Sequence, residues 1–307
     1  MALAVGPGAP YITPAVLLSA ATGIAWNTIP DMESTLEQQT AEQLNICMRA
    51  TAMVDKFCNT PLRATIDTET VHGPEDYRFT VARNGVARVI LSRPPVVAVL
   101  SGRYSPTASF PSQWTTLDAS KFKVEDPIMG VYGTTAPSAS ADGGQAILVA
   151  PGLALGPRRS VELEVTYMNG WPHTQVTVAA AEGDSALQVD DVTGWLGATG
   201  TVKDLNGQEA VTVTAVSPSG AGASGPGTLT LSAPLAYAHA AGTLVTTLPG
   251  QVEQAAILFA TWQALTRGGT SVTAQAMPGA AQGGGTGGVD SYKTDAEKLL
   301  AELRRVI

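Results

Sequence analysis

The stretch from Asp31 to Cys58 restricts this chain more than any other. Apolar or small residues recur at Leu36, Thr40, Leu44, Cys47, Ala50, Thr51, Val54, Phe57 and Cys58, a three-to-four-residue spacing that keeps them on one helical face. Glu33, Glu37, Gln38, Glu42, Gln43, Asn45, Arg49 and Lys56 fill the opposite side. Asp31 follows Pro30 and suits the first-turn cap, Glu33 complements the positive end of the dipole, and Asn59-Thr60-Pro61 ends the run. About seven turns is long for a single small core, so this helix is expected to be a packing spine. Before it, Thr13-Pro14 opens a short helix through Leu17 and Leu18 to Thr22, ended by Gly23.

The chain changes character after Thr65. Glycine and proline number 32 and 20 among 307 residues, which favours many turns over helical bundles. Runs at 77–82, 86–91, 96–102, 114–117, 122–124, 146–149 and 161–167, broken by turns such as Asn84-Gly85, read as short antiparallel strands. The phrase Tyr167-Met168-Asn169-Gly170-Trp171-Pro172 closes that series. Residues 173–248 then read as a separate β module of about six strands. Glu182, Asp184, Asp190, Asp191, Asp204 and Glu209 against Lys203 alone put −5 of the net −8 charge there. Such a balance disfavours phosphate neutralisation as a mode of action.

Helical spacing returns at Val252, Ala255, Ala256, Phe259, Trp262 and Leu265, predicting a helix from Gln251 to Arg267. A glycine-rich segment follows, including Gly283, Gly284, Gly285, Gly287 and Gly288, and is expected to act as a flexible arm with a span on the order of 25 Å. The last residues, Tyr292, Ala296, Leu299, Leu300, Leu303 and Ile307, make a second stripe, with Arg304 and Arg305 at the negative end of the dipole. On such a tether the terminal helix need not pack on its own subunit, and its apolar stripe is expected to seek a partner surface.

Chemistry is sparsely advertised. His72, His173 and His239 lie apart, without metal-ligand or general-base spacing, and there is neither a nucleophile elbow nor a phosphate loop. Gly220 to Gly225 fits a dinucleotide fingerprint by letter but leads into a strand rather than a helix. Asp190-Asp191 could take a cation with Asp204 or Glu209, against the plainer reading of a solvated acidic turn. Trp171, Trp195 and Tyr237 could form a sugar-stacking platform, against the plainer reading of core plugs. Cys47 and Cys58, about 16 Å apart on one helix, are beyond disulfide reach and read as buried apolar groups. No run is long enough for a membrane span and the N-terminus lacks a basic leader, so a soluble, intracellular, non-catalytic chain without cofactor or metal is expected.

Five phrases, in order, carry a resemblance: Tyr11-Ile12-Thr13-Pro14, Ala50 through Phe57, Leu91-Ser92-Arg93-Pro94-Pro95-Val96, Tyr167 through Pro172, and Leu248 through Ala255. In this the chain resembles the head-to-tail connector (adaptor) proteins of long-tailed bacteriophages, over most of residues 11–172 and 249–307. The module between, with Leu187 to Trp195 and Leu229 to Thr243, looks like a small β domain of other phage virion proteins. The resemblance implies an α+β fold: a helical connector core of a short helix, a long helix and two C-terminal helices, with an antiparallel β segment. It also implies the layout 1–172 connector core with β elaboration, 173–248 inserted acidic all-β domain, and 249–307 core helix, arm and docking helix. The function implied is that of a structural virion protein of the neck, assembled in the host cytoplasm. It would form a homo-oligomeric ring, typically of twelve copies, beneath the portal, with a tail-side neck or terminator protein below and DNA passing through the lumen unbound. Tyr292, Leu299, Leu300, Leu303, Arg304, Arg305 and Ile307 would then meet the portal. Alternatives are a tail-completion or tail-terminator protein and a carbohydrate or cell-surface binding module.

Overall fold

The computed structural model describes residues 8–29, 34–73, 78–81, 87–106, 113–124, 145–149, 161–204, 208–220, 222–266 and 287–304. The short helix α1 (Pro14–Ser19) is capped by Thr13, whose hydroxyl accepts from Val16 N at 3.2 Å. The long helix α2 runs Leu36–Cys58. Its cap is Thr35, which forms a reciprocal capping box with Gln38; Asp31 lies outside the described residues. Asn59 closes the helix in the left-handed region at φ 56°.

The buried face of α2 is Gln43, Ile46, Cys47, Ala50, Thr51, Val54 and Cys58. The expected stripe therefore fails at its start, where Leu36 is 79% and Leu44 44% exposed. The physical reason is that the core underlies only the C-terminal part of the helix. Gln43 enters that core because its Nε2 donates to Trp26 O at 2.9 Å.

Strands β1 (Thr65–Gly73), β2 (Phe79–Val81), β3 (Ala87–Leu91), β4 (Val96–Pro106), β5 (Thr115–Leu117), β6 (Phe122–Val124), β7 (Gln145–Val149) and β8 (Val161–Asn169) form two four-stranded antiparallel sheets, ordered β1-β8-β4-β5 and β2-β3-β7-β6. Alternation along β8 points Val161, Leu163, Val165 and Tyr167 inward onto Val71, Phe79, Val89 and Leu91. Gly73 is required here, since a Cβ would sit 2.2 Å from the Phe79 ring. The Asn84-Gly85 turn lies outside the described residues.

A third sheet holds β9 (His173–Gln175), β10 (Ala186–Val189), β11 (Thr199–Lys203), β12 (Gln208–Ser217), β13 (Gly227–Leu231) and β14 (Leu244–Thr246), in the order β10-β13-β12-β11-β14-β9. It curls on itself: Val176 bridges Val189, and Thr177 N donates to Gln188 O at 2.8 Å. Trp195 plugs its interior among Leu187, Val202, Val213, Leu229 and Val245. Helices α3 (Gly250–Thr266) and α4 (Gly287–Leu300) complete the chain and share one core with α1, α2, Tyr11, Ile12, Leu62 and Trp171.

Two expectations are overturned. The described residues contain 14 strands in three antiparallel sheets against four α-helices, so the fold is mixed but β-rich and is not a helical connector core carrying a small β insertion. Short strands are individually faint in a sequence while long amphipathic helices are loud, and the β segment before Tyr167 proves to have a core of its own. The C-terminal helix, expected to seek a partner surface, packs on its own subunit. Ala296 and Leu300 are fully buried, Trp262 Nε1 donates to Asp290 Oδ1 at 3.3 Å, and the Arg304 guanidinium lies 5.2 Å over the Phe57 ring. The stripe found its apolar surface on α2 and α3.

Candidate functional site

The five phrases are spread over more than 240 positions, and the fold brings residues of four of them to one hydrogen-bonded joint, with Val252 and Ala255 of the fifth in the core that holds Tyr11. Tyr11 is the centre of the joint. Its hydroxyl donates to Asp55 near the end of α2 and accepts from Leu62 N at 2.9 Å and Arg63 N at 3.3 Å. Its own N–H donates to Thr51 Oγ1 at 2.9 Å. The neighbouring chain then pairs with the segment after β8: Trp171 N donates to Leu62 O at 2.9 Å and Ala64 N to Trp171 O at 2.8 Å. Gly170 N donates to Pro95 O at 2.9 Å, and Thr247 N, just before α3, donates to Pro172 O at 3.0 Å. Burial, then the adjacent Asp55 carboxylate, pushes the Tyr11 phenol far above its ordinary range. Burial likewise raises Asp55, partly offset by the Tyr11 hydroxyl, the Leu62 N–H and Arg63.

His173 joins this site to the β module. Nε2 lies 2.9 Å from Pro10 O and Nδ1 2.9 Å from Thr246 Oγ1. A carbonyl only accepts, so Nε2 carries the proton and Nδ1 accepts from the Thr246 hydroxyl, which itself accepts from Leu248 N at 3.1 Å. Burial pushes the imidazole down to about 4. The Tyr11 ring stands edge-on to it at 5.4 Å. A polar cluster beside the joint locks the first sheet: Arg93 Nη1 donates to Asp67 Oδ1 at 2.7 Å, while Glu69 accepts from Tyr167, Ser92 and Arg78. Burial and then Glu69 raise the Tyr167 phenol.

Five of the module's six acidic residues prove to be loop staples, Glu182 being exposed. Asp190 accepts from Gln175 N at 2.9 Å, Asp191 from Thr193 N at 2.9 Å and Gly225 N at 3.0 Å, and Asp184 from Ala181 N at 2.7 Å. Glu209 accepts from Ala236 N at 2.8 Å and from His239 Nε2 at 2.7 Å, while His239 Nδ1 lies 3.3 Å from Asp204. Burial opposes its charge, yet these N–H donors hold Glu209 below the usual carboxylate range. Among the described residues no three His, Cys, Asp or Glu side chains are grouped as metal ligands. The structure does not assemble the sugar-stacking platform: Trp171 and Trp195 are buried and Tyr237 is 47% exposed. Burial pushes both thiols, Cys47 and Cys58, up to about 12. A small apolar cleft of about 100 Å³ lies where the module meets the first sheet, lined by Val97, Ala98, Met168, Val192 and Leu196.

Of the expected portal-facing residues, Leu300 is buried in the helical core, Leu303 packs on its rim, Arg304 covers Phe57, Tyr292 is half-buried and Leu299 is exposed. Arg305 and Ile307 lie outside the described residues, as do Gly283, Gly284 and Gly285; Gly287 and Gly288 begin α4 rather than continue an arm. The Tyr11–Asp55 pair escaped sequence reasoning, although one signal was there. Asp55 is an acid beside the buried positions Val54 and Cys58, and a carboxylate at the rim of a core needs a partner. Comparison of the chain with protein-family models, characterised proteins and solved structures finds no match.

Proposed function

We propose that this chain is a structural virion subunit, a head-to-tail adaptor that closes into a ring beneath the portal and joins capsid to tail while DNA passes through the lumen. The observation that carries the reading is the convergence at Tyr11. Four of the five phrases contribute hydrogen bonds to one joint or to its flanks, and the fifth packs Val252 and Ala255 into the core that holds Tyr11 and Trp171. The reading rests on those residues and not on a helical frame. Contacts between copies and with the portal are assigned to apolar side chains that are exposed among the described residues: Leu36 and Leu44 in the N-terminal part of α2, and Leu299 on α4. A net charge of −8 suits a lumen that DNA must cross without adhering.

The test is sedimentation and electron microscopy of the full chain alone and mixed with the portal protein of the virus that encodes it. Ring-shaped particles capped by portal are expected, with Leu36→Glu and Leu44→Glu blocking ring formation while leaving the melting temperature unchanged. A chain that stays monomeric with portal present, and is missing from the necks of purified particles, overturns the proposal. Labelling at the far end of tails would assign it instead to tail termination.

A further inference from the structure

Strand β4 is eleven residues long, and its two neighbours cover it unequally. β8 pairs with it from Val96 to Pro106, whereas β5 pairs only with Gly102, Arg103 and Tyr104. β5 leaves the edge after Leu117 because Asp118 caps a 3-10 turn at Ala119–Lys121, its Oδ1 accepting from Ser120 N at 2.8 Å. Among the described residues, no hydrogen bond joins the backbone of Val97 to Ser101 to any strand but β8. The run begins Val97-Ala98-Val99-Leu100, four apolar residues in succession, each half-buried. An apolar edge in that state is a template for another strand.

The small apolar cleft opens at the same place. Val97, Ala98 and Met168 line it from the sheet, where Ala98 stands opposite Met168, and Val192, Leu196 and Val216 line it from the module. Leu196 is 52% exposed. The glycine-rich loop after β12 comes close to the same strand: a Cβ on Gly222 would lie 3.3 Å from Leu100 Cδ1. None of the lining residues is charged. The two arginines that bracket the uncharged stretch of β4 are already paired, Arg93 with Asp67 and Arg103 with Glu164, each at 2.7 Å. A segment complementary to this surface therefore carries no charge. The cleft, at about 100 Å³, suits one aliphatic side chain, since an apolar cavity of about 150 Å³ holds a benzene.

We propose that the Val97–Ser101 edge of β4 and the cleft beside it form one docking site for a short, extended, uncharged aliphatic segment of another polypeptide. The segment adds a strand on the side that β5 vacates, in line with β5, and seats one side chain in the cleft. Backbone hydrogen bonds supply the attraction and the cleft selects the side chain. The irregularities of β4 set the length. Its register with β8 shifts between Val96 and Ala98 and again between Val99 and Ser101, so Val97 and Leu100 are extra residues that oppose nothing on β8. Such bulges twist an edge and keep a long flat strand from stacking along it. The site therefore takes a segment of about five residues, matching Val97–Ser101, and not the whole sheet edge of a second copy. It does not depend on the adaptor reading.

The probe is a capped Thr-Leu-Thr-Val-Thr peptide added to the full chain, read by amide exchange and by methyl signals. At about 1 mM peptide, exchange over residues 97–101 is expected to slow about fivefold or more, and the methyl signals of Met168 and Leu196 to move. A peptide with aspartate in place of leucine, or with an N-methylated backbone, should do neither. Ala98→Phe, which fills the cleft from the sheet side, should weaken binding about tenfold or more while the melting temperature holds. If that variant fails to fold, Leu196→Asp on the exposed rim takes its place. No slowing at residues 97–101, or equal slowing by all three peptides, overturns the proposal. So does protection already present without peptide: if constant, the chain covers its own edge, and if it rises with protein concentration, a second copy does.

Discussion

Replacing Tyr11 by phenylalanine removes one oxygen from the centre of the molecule and leaves the ring in place. Leu62 N–H then keeps only the weak contact to Asp55 Oδ1 at 3.3 Å, Arg63 N–H loses the phenol oxygen it donates to, and the Asp55 carboxylate loses its hydroxyl donor. A buried polar group left without a partner costs about 1–3 kcal/mol, and hydrogen bonds to charged groups lie at the upper end. The cavity is too small to add much, so a loss of about 2–4 kcal/mol is expected, well above the ±0.5 kcal/mol or so of an ordinary surface change. Urea unfolding followed by tryptophan fluorescence reads it directly, since Trp26 and Trp171 sit in the same core. The midpoint should fall with little change in slope. Combined with Asp55→Asn in a double-mutant cycle, the pair should show a coupling of about 1–3 kcal/mol. A loss under about 0.5 kcal/mol, or strict additivity of the two substitutions, would refute the assignment of Tyr11 as the joint's keystone.

Three further outcomes are expected. With both thiols near 12, only about one cysteine in ten thousand is a thiolate at pH 8, so a disulfide reagent should modify Cys47 and Cys58 at the rate of global unfolding and not before. Gly170→Ala should cost about 2 kcal/mol or more, because φ is +85° and the new Cβ would lie 2.5 Å from Arg63 O; Gly183→Ala, with φ +88° and open space around it, should cost about 1 kcal/mol from backbone strain alone, and thermal melts separate the two. Leu300→Ala should destabilise by about 2–5 kcal/mol and expose the backbone of α4 to rapid amide exchange, whereas unchanged exchange there would contradict its place in the core.

The elements differ in how far they could be read from local pattern. α2 is visible as a helix because its period persists over 23 residues, but its buried face is not. Leu36 and Leu44 outweigh Gln43 on any hydropathy scale, and only the bond from Gln43 to a carbonyl 17 residues earlier draws the glutamine inward. The strands before Tyr167 show only a short alternation each, and their assembly into two sheets depends on pairings such as Thr65 with Asn169 across 104 residues. That long-range sum is what a tally dominated by helical stripes undervalues. The joint is hidden for the same reason. Tyr11 and Asp55 are 44 residues apart, and His173 reaches a carbonyl 163 residues away. His173 has no ligand or general-base spacing because its partners are a backbone oxygen and a threonine, which leave no spacing to find.

The position of α4 changes what any partner must provide. Burying a leucine contributes about 1.5–3 kcal/mol, and the Arg304 contact to Phe57 adds roughly 0.5–1 kcal/mol. Lifting Leu300, Ala296 and Arg304 off α2 and α3 therefore costs several kcal/mol before any new surface is met. On the proposed adaptor reading, a portal contact made through those residues would be an exchange, nearly neutral unless the new groove is better packed than the old. A contact through Leu299, 37% exposed and free of that duty, adds to the folded subunit instead of competing with it. Leu299→Glu and Leu300→Ala accordingly separate the two cases. On the adaptor reading proposed above, if α4 stays seated during assembly, Leu299→Glu abolishes portal binding in a subunit of normal stability. If α4 transfers, Leu299→Glu leaves binding intact and Leu300→Ala, by weakening the internal seat and the external one alike, changes affinity far less than it changes stability.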